Sequence, residues 1–144
     1  MNEAITDQVK ALRAFNRSYT RSTGLLEPYL DSPLSLTEVR VLYELAHHAQ
    51  SAAAEIGREL GLDAGYLSRI LKRFEARGWL LRSSSPADGR QQFLQLTPAG
   101  HAAFAPLQQK SRDAARALLE RLPSAHRVEL VDAMARVQRL LAPP

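Results

Sequence analysis

Residues 61–90 read Gly61-Leu62-Asp63-Ala64-Gly65-Tyr66-Leu67-Ser68-Arg69-Ile70-Leu71-Lys72-Arg73-Phe74-Glu75-Ala76-Arg77-Gly78-Trp79-Leu80-Leu81-Arg82-Ser83-Ser84-Ser85-Pro86-Ala87-Asp88-Gly89-Arg90. Asp63 is placed to cap a helix, and Leu67, Ile70, Leu71 and Phe74 fall at i, i+3, i+4 and i+7, so one face is buried. At about 100° per residue, Gly65, Arg69, Lys72 and Ala76 lie opposite that stripe, flanked by Ser68 and Arg73. Gly78 ends the helix. Trp79-Leu80-Leu81-Arg82 and Gln92-Phe93-Leu94-Gln95-Leu96 then read as two strands joined by a tip rich in Ser, Pro, Asp and Gly. A short helix with a basic face, followed by a polar hairpin tipped with arginine, is the pattern of a winged helix-turn-helix. The helix suits a major groove, and the hairpin sets one cation beside it.

Working upstream, Ser51 offers an N-cap to an Ala-rich helix over 52–60, and Gly61 supplies the turn. Thr37 caps an earlier helix, with Glu38 in its first turn and Val39, Leu42, Tyr43 and Leu45 or Ala46 facing inward, ending near His48. Before it, Ile5, Val9, Leu12, Phe15 and Tyr19 form one helical stripe, which Gly24 weakens or bends. Leu25, Leu26, Tyr29 and Leu30 resume the pattern until Asp31-Ser32-Pro33 interrupts it. Downstream, Thr97-Pro98 opens a long helix with Phe104, Leu107, Ser111, Ala114 and Leu118 on one stripe. Leu130, Met134, Val137 and Leu141 form another beyond Pro123-Ser124, and both stripes require a helical partner. The fold class expected is mainly α with a small β-hairpin wing.

Composition agrees with a polyanionic partner. The chain has 144 residues, 45% of them hydrophobic, and 19 Lys and Arg against 15 Asp and Glu give a net charge of +4 with a pI near 9.8. Between Arg58 and Arg90 stand seven bases (Arg58, Arg69, Lys72, Arg73, Arg77, Arg82 and Arg90) and four acids (Glu59, Asp63, Glu75 and Asp88). Most of the surplus therefore sits around the basic helix. The absence of cysteine excludes disulfides, thiol switches and Cys-containing zinc sites. No signal pattern opens the chain and no apolar run approaches the ~20 residues of a membrane span, so the expectation is a cytoplasmic protein without membrane contact.

Enzyme signatures are missing. His47-His48, His101 and His126 make no metal motif, since adjacent helical histidines diverge by about 100°. The hydrolase, dinucleotide and P-loop glycine patterns are absent, and Arg58-x-x-Gly61 has Asp63 where an acyl-CoA loop needs a second glycine. The expectation is a protein that is not an enzyme and carries neither metal nor cofactor.

The cap-helix-Gly-hairpin run, continued into Leu94-Gln95-Leu96-Thr97-Pro98-Ala99-Gly100, resembles the MarR family of bacterial regulators over nearly the whole chain. The phrases from Ser35 to Leu45, Leu62 to Leu71 and Ser85 to Arg90 are more similar to a branch in which a MarR-like half precedes a GNAT-type acetyltransferase. The resemblance implies one domain over 1–144, with dimerisation helices in 1–33 and 98–144 around a DNA-binding lobe in 34–97. It implies a homodimeric transcriptional regulator, a repressor, on a pseudo-palindromic double-stranded operator. The alternative it leaves is a non-catalytic dimerising or substrate-presenting lobe of a larger acetyltransferase.

Carried over residue by residue, the family's contacts fall on Ser68, Arg69, Lys72 and Arg73, and its wing Asp-x-Arg on Asp88-Gly89-Arg90. The chemistry agrees: Arg69 can donate twice to guanine O6 and N7 or brace a phosphate, and Lys72 and Arg73 suit phosphates. Gly65 lets backbone approach backbone, Ser51 and Asp63 mark helix N-termini open to phosphate, and Tyr66 either touches a phosphate or packs inward. Asp88 would hold the Arg90 guanidinium extended towards the minor groove. The resemblance also implies release by a small aromatic or anionic effector, for which Phe15, Tyr19, Tyr29 and Tyr43 are the candidate lining, ordinary core packing being the other reading of these rings.

Overall fold

A computed structural model of the chain describes residues 2–24, 32–84 and 92–143. The order is α1 (Glu3–Thr23), α2 (Leu36–His47), β1 (Ser51–Ala52), α3 (Ala53–Leu60), α4 (Ala64–Ala76), β2 (Leu80–Ser84), β3 (Gln92–Leu96), α5 (Pro98–Glu120) and α6 (Ser124–Leu141). The chain divides into two units, Met1–Gln109 and Lys110–Pro144. It is mainly helical with a small antiparallel sheet, as the periodicities require. No described helix is long and apolar enough to cross a membrane.

In the first unit the core gathers apolar residues of α2, α3, the sheet and α5 around α4. Leu67, Ile70, Leu71 and Phe74 of α4 are buried against Val41, Leu42 and Leu45 of α2, Ile56 of α3, Leu80, Leu94 and Leu96 of the sheet, and Phe104 of α5. Burying each large side chain is worth about 1.5–3 kcal/mol, so this stripe fixes which face of α4 turns outward. Gly61 (φ 65°) closes α3 in the left-handed conformation, and the Leu62 N–H donates to the Gly57 carbonyl at 2.9 Å.

Three local assignments differ from the sequence expectation. The cap of α2 is Ser35, not Thr37: the Glu38 N–H donates to Ser35 Oγ at 3.2 Å and the Ser35 N–H to Glu38 Oε1 at 3.1 Å, a reciprocal box only a three-residue spacing closes. Ser51 does not cap α3, because Ala52 holds the N-cap position and makes no side-chain bond. Ser51 instead starts β1, which pairs with β3 (Ser51↔Leu94, Ala52↔Phe93), so the hairpin is part of a three-stranded sheet of order β1-β3-β2. In the β2–β3 ladder Leu80 opposes Leu96 and Ser84 opposes Gln92. Gly24 (φ 70°) caps α1 at its C-terminus.

The start of α5 is tied to the end of α4. Thr97 donates its N–H to the Trp79 carbonyl at 2.9 Å and its hydroxyl to the Gly78 carbonyl at 2.6 Å, while Thr97 Oγ1 accepts the Gly100 N–H at 3.0 Å. A Cβ on Gly100 would collide with the Trp79 carbonyl oxygen and lie 3.0 Å from Leu96 Cδ2. Overpacking against backbone costs about 1–3 kcal/mol, and the better helix propensity of alanine returns at most about 1. Gly100→Ala is therefore expected to lower the melting temperature by several degrees in a circular-dichroism melt. A stabilised variant would mean that the two segments separate without strain.

Two helices carry apolar stripes that the chain leaves in solvent. On α1, Ile5, Val9, Leu12, Phe15 and Tyr19 are about half exposed and no residue is buried. In the second unit the Arg127 guanidinium donates to the Leu119 and Leu122 carbonyls at 2.8 and 2.9 Å, fixing the turn between α5 and α6. There Val128, Val131, Met134, Val137, Leu140 and Leu141 of α6 are exposed.

Candidate nucleic-acid interface

The outward face of α4 is a consequence of its inward one. Four apolar residues hold one side in the core, so Gly65, Ser68, Arg69, Lys72 and Ala76 emerge on the other, all exposed. Thirteen residues give a rod about 20 Å long, and the helix diameter of about 10–12 Å with side chains matches a major groove about 12 Å wide. Asp63 caps it by accepting the Tyr66 N–H at 3.0 Å, as its position in the sequence implies. That carboxylate occupies the amide end of α4, whereas the amide end of α3 has no side-chain cap. Of the two helix starts expected to receive phosphate, the one at α3 is the one without a side-chain cap, and it carries Glu55 in its first turn behind the buried Ser51 and Ala52.

The basic residues are not equivalent. Arg69 is exposed and lies over the Tyr66 ring, 5.9 Å from its centroid. Arg73, exposed as well, has its Nε 3.5 Å from Glu38 Oε2, so the carboxylate that closes the α2 capping box also engages α4. Arg73 is half in solvent while Glu38 is largely covered, and at 3.5 Å the pair contributes about 1 kcal/mol, enough to orient Arg73 without withholding it. Arg77 covers the Trp79 ring at 4.9 Å, and Trp79 packs on Phe74 and the core, as a structural tryptophan should. Arg82 of β2 donates to Glu75 of α4 at 3.1 Å, bracing the wing strand on the helix. Glu38, Glu75 and Arg82 are additions to the site. The spacing Ser35-x-x-Glu38 signals the first, but nothing local in the sequence signals the Arg82–Glu75 pair.

The other expected site residues are placed unevenly. Tyr66 is half-buried against the core, with its ring beneath Arg69. Ser51 is only 3% exposed, and its hydroxyl has no hydrogen-bond partner among the described residues. Asp88 and Arg90 lie outside the described residues; the strands on either side of them end in the Ser84↔Gln92 pair.

Of the four aromatics expected around an effector, the three among the described residues make separate ring contacts. Phe15 and Tyr19 stack on each other within α1 at 5.8 Å, whereas Tyr43 stacks on His47 at 3.9 Å and meets the edge of Phe104 at 6.2 Å. Tyr29 falls outside the described residues. A cleft of about 480 Å3 opens elsewhere, between α3, α4 and β2, lined by Gly57, Arg58, Leu67, Ser68, Leu71 and Arg82 among others.

Residues 32–91 match the profile of the MarR family. The multiple antibiotic resistance protein MarR of Escherichia coli is 36% identical over 80 residues, which are 54% of this chain and 55% of that protein. The match thus spans about half the length of this curated relative. Among solved structures, a mutant MarR from E. coli complexed with operator DNA superposes with a TM-score of 0.77 at 24% identity, covering 94% of this chain and 96% of that one. BpsR of Bordetella bronchiseptica, in a structure concerned with regulation of its DNA binding by 6-hydroxynicotinic acid, gives 0.72 at 23% identity over 88% and 91%.

Proposed function

From a chain whose residues 32–91 match the MarR family profile and whose fold resembles a solved MarR structure along most of its length, we propose a DNA-binding transcriptional regulator of that family. The observation that carries this reading is the exposed face of α4, where Ser68, Arg69 and Lys72 stand clear of a core that fixes their direction. Arg69 reads a base edge, and Lys72 and Arg73 neutralise phosphates. The likeness to a MarR bound to operator DNA supports the groove geometry.

The working molecule is a homodimer and a repressor, one MarR-like domain per chain, with 1–33 and 98–144 as dimerisation segments around 34–97. The exposed stripes of α1 and α6 support this, since apolar faces of that extent call for a partner helix. Twofold symmetry then sets two recognition helices about 34 Å apart and implies a pseudo-palindromic site. The molecule acts by binding, in the cytoplasm where its DNA lies. Release by a small effector is supported by the likeness to BpsR, and a thermal-shift screen of aromatic acids without any stabilised melt would remove it.

Salt-dependent binding tests the wing. Arg90→Ala is expected to weaken binding to every duplex alike and to reduce the slope of log K against log salt by about one, read by anisotropy between ~50 and 200 mM salt. Equal affinity and slope for wild type and variant would take the wing out of the interface.

A further inference from the structure

We infer that Tyr66 is a positioning residue for Arg69, a platform that holds the guanidinium toward the first turn of α4 so that its in-plane donors meet a guanine edge; this rests on the DNA-reading function proposed above. Tyr66 and Arg69 are three residues apart and share a helix face. The Tyr66 ring is half-buried against the core and its backbone N–H is bound by Asp63, so the ring is anchored before any ligand arrives. Arg69 lies over that ring at 5.9 Å, within reach of a cation–π contact.

Gly65 keeps the same corner open. A Cβ there would lie 3.7 Å from the Arg69 Nη1 and 3.2 Å from Asp63 Oδ2, so the guanidinium already rests against the first turn. An arginine on an exposed helix face otherwise samples many rotamers and loses that freedom on binding. A cation–π contact with the ring removes part of that cost, and because it engages the cation through the ring face it takes up none of the guanidinium's N–H donors as hydrogen bonds. A target with two acceptors side by side fits that fork, and in the major groove this is guanine O6 and N7. Lys72 and Arg73 have no such platform among the described contacts, and Arg73 is turned toward Glu38 instead.

The test uses the full chain and a duplex that wild-type protein selects from a random pool, beside the same duplex with the Arg69-dependent guanine replaced. Tyr66→Phe keeps the ring and is expected to keep the wild-type ratio of dissociation constants between the two duplexes. Tyr66→Leu and Tyr66→Met keep bulk but lose the ring face, and are expected to lower that ratio about two- to fivefold with the salt slope unchanged. In an Arg69→Ala background neither is expected to change the ratio further. Two aliphatic replacements guard against one that fails to fold, each checked by its melting curve.

Equal weakening on both duplexes, a shallower salt slope, or an effect that persists without Arg69 would overturn the inference and leave the DNA-reading function standing. So would a selected duplex in which no guanine depends on Arg69. Failure of wild type to select any common sequence would overturn both.

Discussion

Arg69→Ala is expected to relax the choice of base at one position in each half-site while leaving the fold intact. Arg69 is exposed on α4 and its neighbours are the Tyr66 ring and the backbone at Gly65, so its removal uncovers no core. Surface substitutions of this kind change stability by less than about 0.5 kcal/mol. A bidentate arginine–guanine pair is worth about 1–3 kcal/mol of discrimination, a factor of roughly five to more than a hundred at that base pair. Competition between the selected duplex and its single-base variants reads this directly. A uniform loss across all duplexes would assign Arg69 to phosphate.

The opposite outcome is expected from Phe74→Ala, on the same helix and five residues later. Phe74 is fully buried, its ring 5.5 Å from Trp79, in the middle of the α2–α4–sheet core. Emptying such a site costs about 3–5 kcal/mol from lost burial and the cavity left behind. Native domains hold only about 5–15 kcal/mol in total, so much of the stability is lost. Denaturant titration should show a markedly lower midpoint, with binding to all DNA lost together as the outer face of α4 loses its support. An unchanged midpoint would place Phe74 outside the core. Together the two variants separate the chemistry of one helix face from the packing of the other.

Much of α4 is legible in the sequence because a half-buried helix writes its orientation into a 3.6-residue period, and Leu67, Ile70, Leu71 and Phe74 leave one solution. Asp63, Gly61 and Thr97-Pro98 are likewise local signals with local causes. What escaped is non-local. Two residues of β1 are too few to show alternation, and they become a strand only because β3 offers a ladder some forty residues later. Ser51 therefore reads as a cap although it is a buried strand residue.

The same distinction holds in the site. That Arg69, Lys72 and Arg73 share an outward face follows from spacing, but that Glu38 engages Arg73, and Tyr66 carries Arg69, depends on how α2 meets α4 and on rotamers. Gly100 shows the limit most plainly: only the Trp79 carbonyl, brought there by the chain reversal after α4, explains why a helix accepts glycine at that point. Helical stripes likewise do not specify that Tyr43 meets the edge of Phe104.

The most direct test of the claim that α4 reads DNA as one of a symmetric pair is selection of duplexes by the intact protein from a random pool, followed by sequencing of those retained. The account predicts an inverted repeat whose half-site centres stand about one helical turn, roughly ten base pairs, apart. Recovery of no shared sequence, or of a single asymmetric half-site, would contradict it.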